Sequence, residues 1–185
     1  MSYLKFDKEQ LINLEYSLSK EILRSNRAGS YLSTTINGCN TRKYHGLLIC
    51  PIQDSLEEKH VLLSSLDTTI IQNNAEFNLG IHRYKGGVYE PKGHKYIRNI
   101  KFDPIPKITY RVGGVVLTQE RLLAEKEEQI LIRFTLENAN SPTILKFKPF
   151  LAFRKIHQLS KANMFANTKY KAVKNGISMK LYDGY

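Results

Sequence analysis

From Asn37 to Leu48 the chain reads Asn-Gly-Cys-Asn-Thr-Arg-Lys-Tyr-His-Gly-Leu-Leu, a polar loop that feeds Arg42, Tyr44 and His45 into an aliphatic run. Planar amides, a guanidinium fork and an aromatic ring are the groups that recognise sugars, through bidentate hydrogen bonds to vicinal hydroxyls and stacking on the pyranose face. The same residues also admit a plainer reading. Asn40 and Thr41 would close a turn by local hydrogen bonds while Tyr44 and His45 pack at a strand end. Composition alone favours the plainer one.

Other chemistries find less to work with. Glycoside hydrolysis ordinarily needs two carboxyl groups, an acid and a base or nucleophile. The acidic candidates are Glu57 and Glu58, Asp67, Glu90, Asp103 and the run from Glu125 to Glu128. Adjacent acids in a charged run usually form a solvated face, and spacing pairs none of the isolated ones. The five histidines, His45, His60, His82, His94 and His157, show no H-E-x-x-H or other short ligand spacing, so no metal site is expected. No phosphate-cradling glycine motif is present, Gly86-Gly87 reads as a turn, and no cofactor is expected. Cys39 and Cys50 stand eleven positions apart without C-x-x-C spacing and read as reduced thiols.

The elements that must carry these residues are strands. Ile130, Ile132, Phe134 and Leu136 alternate with Leu131, Arg133, Thr135 and Glu137, the period of a half-buried strand. Leu145, Phe147, Leu151 and Phe153 repeat the pattern, with Pro149 marking an edge, a bulge or a break. Tyr44 to Cys50 and Val61 to Ile71 are rich in β-formers. Gly113-Gly114 and Asn175-Gly176 separate pairs of such runs as tight hairpin turns. Many short strands with turn signals every ten residues or so predict an all-β fold, an antiparallel β-sandwich or barrel. One minor N-terminal helix, peripheral to it, is expected over Lys8 to Tyr16. Residues 1–16 thus read as an N-terminal extension and 17–185 as the sandwich domain. Asp183-Gly184 places a turn signal straight after a good strand, as in a domain cut before its partner strand.

With 42% hydrophobic and 24% charged residues, 185 residues suffice for one packed core. The apolar stretches are too short to span a bilayer, and Lys5, Asp7, Lys8 and Glu9 interrupt any signal-peptide core, so a cytoplasmic protein with no membrane partner is expected. The formal charge of +11 comes from lysines and arginines spread along the chain without a block of five. That spacing describes solvated strand faces rather than a nucleic-acid footprint.

The stretch Ser25-Asn26-Arg27-Ala28-Gly29-Ser30-Tyr31-Leu32-Ser33-Thr34-Thr35, followed by Asn37 to Ile49, resembles the signature of the N-terminal domain of bacterial and archaeal-type glycogen debranching enzymes, the amylo-α-1,6-glucosidases. The family pattern of Asn-Thr-Arg, a basic residue and Tyr-His-Gly-Leu-Leu is met by Asn40 to Leu48. Further segments agree in order. They are Val61 to Ser64 before Leu66 and Asp67, Tyr84 before Gly87 and Pro91, Phe102 to Pro106 before Tyr110, and Pro149 before Arg154 and His157. Arg27, Ser30 and Thr34 stand where the family more often has glycine, which stiffens the backbone there.

The resemblance implies a supersandwich-like β-domain packed on a C-terminal helical catalytic domain of the same polypeptide. That partner would hydrolyse α-1,6 branch points of glycogen and supply the carboxyl pair, leaving this chain with no catalytic residue. Asn40, Thr41, Arg42, Tyr44 and His45 become the expected functional edge, facing glucan or the catalytic domain. Detached from that partner, the domain is expected to expose an apolar face and to self-associate as a homodimer. A free-standing α-glucan-binding module is the alternative, with Tyr31, Tyr44 or Tyr84 as stacking platforms, although the chain has no Trp. A basic nucleic-acid-binding β-domain ranks third.

Overall fold

The computed structural model describes residues 3–52, 55–161 and 163–183. Along the chain, β1 (Leu4–Asp7) leads into two short helices, α1 (Lys8–Ile12) and α2 (Leu14–Leu18). Then come β2 (Glu21–Ser25), β3 (Tyr31–Thr35), β4 (Gly46–Ile52), the long β5 (Ser55–Gln72), β6 (Ala75–Asn78), β7 (His82–Arg83) and β8 (Tyr89–Glu90). A 3-10 turn over Gly93–Tyr96 precedes β9 (Ile97–Asp103), β10 (Ile105–Val112), β11 (Val115–Leu123), β12 (Ile130–Asn138), β13 (Ile144–Lys155), β14 (Tyr170–Val173) and β15 (Gly176–Met179).

These strands form the expected antiparallel sandwich. One sheet runs β1-β9-β10-β11-β12, the other β13-β5-β4-β3-β2 with β6 paired to β5. Alternation explains the layering. Ile108, Tyr110 and Val112 of β10 and Val115 and Leu117 of β11 point inward, where they meet Leu32, Leu47 and Ile70 of the second sheet in one core. Each such aliphatic side chain contributes about 1.5–3 kcal/mol by leaving water. The Gly113-Gly114 turn joins β10 to β11 with Val112 opposite Val115, and Asn175-Gly176 joins β14 to β15, both as the sequence predicts. Pro149 lies in β13, the edge strand of its sheet, where proline is tolerated. The ladder of β13 with β5 shifts register on either side of Leu151, so the face set by Leu145 and Phe147 does not continue evenly to Phe153.

The N-terminal residues contribute more than a peripheral helix. β1 pairs with β9, and Leu11 of α1 is fully buried in the core cluster. The helical segment breaks at Asn13, whose side chain accepts a hydrogen bond from Tyr16 N at 3.1 Å and starts α2. Asn is favoured there because its oxygen satisfies an orphan N–H of the first turn. The expected turn at Asp183-Gly184-Tyr185 lies largely outside the described residues, as does the side chain of Glu57. No helix among the described residues is long and apolar enough to cross a membrane.

Candidate functional site

The motif loop connects β3 to β4 at one end of the second sheet. Its first half is closed from within. Gly38 N donates to Thr35 O at 2.9 Å, and Gly38 takes φ +86°, a conformation that glycine adopts without a Cβ penalty. Asn37 is buried, its Oδ1 accepting from Thr35 Oγ1 at 2.7 Å and Cys39 N at 3.1 Å, its Nδ2 donating to Ser17 Oγ at 3.0 Å. The loop is therefore tied to α2. Asn40 is tied to β5: its Nδ2 donates to Ser64 O at 2.8 Å and Ser64 Oγ at 3.2 Å, while its Oδ1 accepts from Thr34 Oγ1 at 2.9 Å. Most of the hydrogen-bonding capacity of both amides is spent inside the protein.

The second half folds around His45. Its backbone N donates to Arg42 O at 3.1 Å, and Thr41 N donates to its Nδ1 at 3.1 Å. With Nδ1 accepting, a neutral ring carries its proton on Nε2. That atom lies 3.2 Å from Glu21 Oε1. Arg42 Nη2 reaches the same oxygen at 2.9 Å. Burial pushes the His45 imidazole below its ordinary value, and the attraction of Glu21 only partly opposes this, so the ring stays neutral at neutral pH. Gly46 follows because a Cβ there would stand 2.9 Å from Val61 Cγ1.

Only part of the predicted edge faces solvent. His45 is 2% exposed whereas Tyr44 is 39% exposed, and Arg42 and Lys43 are open as well. The Tyr44 ring stands edge-on to His157, centroids 5.7 Å apart, with its hydroxyl 3.4 Å from Nδ1. Lys43 Nζ lies 5.1 Å from the Tyr44 ring centre and donates to His157 O at 3.2 Å. Arg154 staples the two loops, Nη2 donating to Lys43 O at 2.6 Å and Nη1 to Gln158 O at 2.9 Å. Tyr31 OH donates to Tyr44 O at 3.4 Å, and Lys59 Nζ lies 5.4 Å from the Tyr31 ring centre. The result is an aromatic and cationic rim on a hydrogen-bonded base. It can stack, donate hydrogen bonds and attract anions.

The structure thus brings Asn40, Thr41, Arg42, Tyr44 and His45 together and sorts them by depth. It adds Glu21, Ser64, Arg154 and His157, of which the sequence pattern leaves only Glu21 unmarked. The acidic candidates lie elsewhere: Asp67 faces His82 Nε2 at 2.9 and 3.0 Å, and Glu58, Glu90 and Glu125 pair with Lys155, Lys92 and Arg27. Cys39 and Cys50 are free and buried, and burial pushes both thiols up to about 11. Among the described residues no group of three or more His, Cys, Asp or Glu side chains is placed to hold a metal ion.

The family model described as glycogen debranching enzyme N terminal matches residues 20–185. No curated protein and no solved structure matches the chain.

Proposed function

The chain belongs to the glycogen debranching enzyme N-terminal family, and from that premise we propose that it is an accessory domain with no glycosidase chemistry of its own. In this reading a helical catalytic domain of the same polypeptide hydrolyses α-1,6-glucosidic branch points in the cytoplasm. The sandwich buttresses that domain and lends one rim to its glucan groove.

The observation that carries the reading is the division within the motif. Asn37, Asn40 and His45 spend their polar groups on Ser17, Ser64, Thr34 and Thr41, and so fix a loop that presents Arg42, Lys43 and Tyr44 outward. A rigid base under an aromatic and guanidinium rim is what sugar recognition requires, since hydroxyl groups are discriminated only by donors held in place. The edges of the sandwich support the packing role. Leu136 of β12 and Phe147 of β13 are exposed on the inward-facing sides of the two edge strands, next to the Phe134–Phe147 ring contact, an apolar seam for the catalytic domain and for self-association when that domain is absent.

In the full debranching enzyme, Arg42→Ala or Tyr44→Ala is expected to lower kcat/KM on branched glucan about tenfold, equivalent to ~1.4 kcal/mol of binding, without lowering the melting temperature. Affinity electrophoresis of the 185-residue chain through glycogen gels separates the remaining readings. Retardation of the chain alone makes it a self-sufficient glucan-binding module. Free migration together with weakened variants means the rim works only beside the catalytic domain. Free migration with unimpaired variants removes glucan contact from this face.

A further inference from the structure

Between the two sheets, separate from the motif rim, lies a cavity of about 30 Å³ whose walls mix polar groups with Leu47, Leu66, Leu79 and Ile81. One wall comes from β10 and β11, as Tyr110, Gln119 and Arg121. The other comes from β5, as Asp67 and Thr68, with the Asn37-Gly38 turn closing one end. Gln119 and Arg121 occupy inward positions of β11, in register with the apolar Leu117 and Leu123, where alternation would place aliphatic side chains.

Arg121 has little to satisfy it. Its Nη2 donates to Gln119 Oε1 at 2.7 Å, its buried Nε has no hydrogen-bond partner, and among the described residues no carboxylate pairs with it. The Thr68 hydroxyl on the opposite wall is likewise buried without a partner. Asp67, the carboxylate lining this space, turns both oxygens to His82. Burial pushes the Tyr110 phenol up, so it keeps its proton and can donate, whereas a guanidinium stays charged even when burial lowers its value. A largely buried cation that no carboxylate pairs directly is costly, and water supplies dipoles but no charge.

We infer that this cavity is a binding site for a halide-sized inorganic anion, chloride under cellular conditions, held by the Arg121 guanidinium with the Tyr110 and Thr68 hydroxyls as further donors. Size selects the class: at roughly 10–15 Å³ for each water-sized particle, a cavity of about 30 Å³ takes two or three such particles, a halide with a water and not the five heavy atoms of a tetrahedral oxyanion. Position gives the ion a structural consequence. A Cβ on Gly38 would lie 3.9 Å from Arg121 Nη2, so the guanidinium sits against the turn that opens the motif loop, and the ion would join the first sheet to that turn.

Thermal unfolding of the 185-residue chain, with sodium chloride exchanged for sodium gluconate at fixed ionic strength, tests the site. Chloride is expected to raise the midpoint by about 5 °C in a saturable manner. Arg121→Met, which keeps the volume and removes the charge, should erase that difference. If the variant does not fold, wild-type crystals grown in sodium bromide decide the matter through an anomalous peak beside the guanidinium. Identical melting curves in the two salts overturn the proposal, as does a water without bromide signal in the cavity.

Discussion

The loop between β3 and β4 and the hairpin of β14 and β15 both turn on an Asn-Gly dipeptide, yet they are held by different forces. At the first, Asn37 is buried and its amide reaches Ser17, Thr35 and Cys39, while Asn40 reaches Ser64 on β5. At the second, Asn175 takes φ 58° and, among the described residues, the strands pair only with each other, with Tyr170, Val173 and Ile177 exposed. Local turn chemistry is the same in both. What differs is whether side chains twenty or more residues away complete it, and therefore whether the loop is a rigid platform or a free-standing ribbon, which is only marginally stable in water.

The sharpest way to break that contrast is to remove the amides. Asn40→Ala leaves the hydroxyls of Thr34 and Ser64 and the Ser64 carbonyl short of partners in a partly buried setting, at about 1–3 kcal/mol for each group left unsatisfied. A loss of about 3 kcal/mol in denaturant unfolding is expected. Asn175→Ala deletes no partner that the structure shows and forces alanine into a left-handed conformation, which costs about 1–2 kcal/mol per residue and only within the hairpin. Equal global losses would mean that the hairpin is anchored as firmly as the loop.

Acid should attack the first region and spare the second. Burial holds His45 below its ordinary value, and His60 and His94 move the same way for the same reason. Each binds a proton more readily unfolded than folded, so the stability it contributes is present above the unfolded value near 6.5 and is lost as pH falls through its lower folded value. Urea midpoints should decline between about pH 7 and pH 5. Replacing His45 with Gln removes that titration and should flatten the decline. An unchanged pH profile would show that His45 does not couple folding to protonation.

How much of this was open to the sequence follows from the range of each interaction. The strands were legible because alternation and turn dipeptides are local, and Asn40 to His45 stood out as a cluster because those residues are contiguous. Glu21, which lies against Arg42 and His45, carries no spacing signal, and Ser64 meets Asn40 only because β5 crosses under the loop. His157 and Arg154 join Tyr44 and Lys43 across more than a hundred residues. Gln119 and Arg121 were hidden for a different reason. In a strand read by period alone they count as ordinary polar residues, and their inward direction appears only once β11 is placed between its neighbours.

The smallest expected effect bears on the same contrast from the other side. Lys171 lies on β14 opposite Ser178, exposed, on a ribbon that pairs with no other strand among the described residues. Lys171→Ala should shift unfolding by less than about 0.5 kcal/mol, as exposed substitutions away from specific contacts do. Its mobility in a glycogen gel should change only by the lost charge, equally with and without glycogen. Arg42→Ala also removes one charge, and it removes the pairing with Glu21 as well. If the two variants behaved alike towards glucan, Arg42 would make no contact with it, since glycogen is uncharged and net charge alone alters mobility equally with and without it. A glycogen-dependent difference between two single-charge deletions ties binding to fixed geometry, and the base that Asn37, Asn40 and His45 build under the rim is what fixes it.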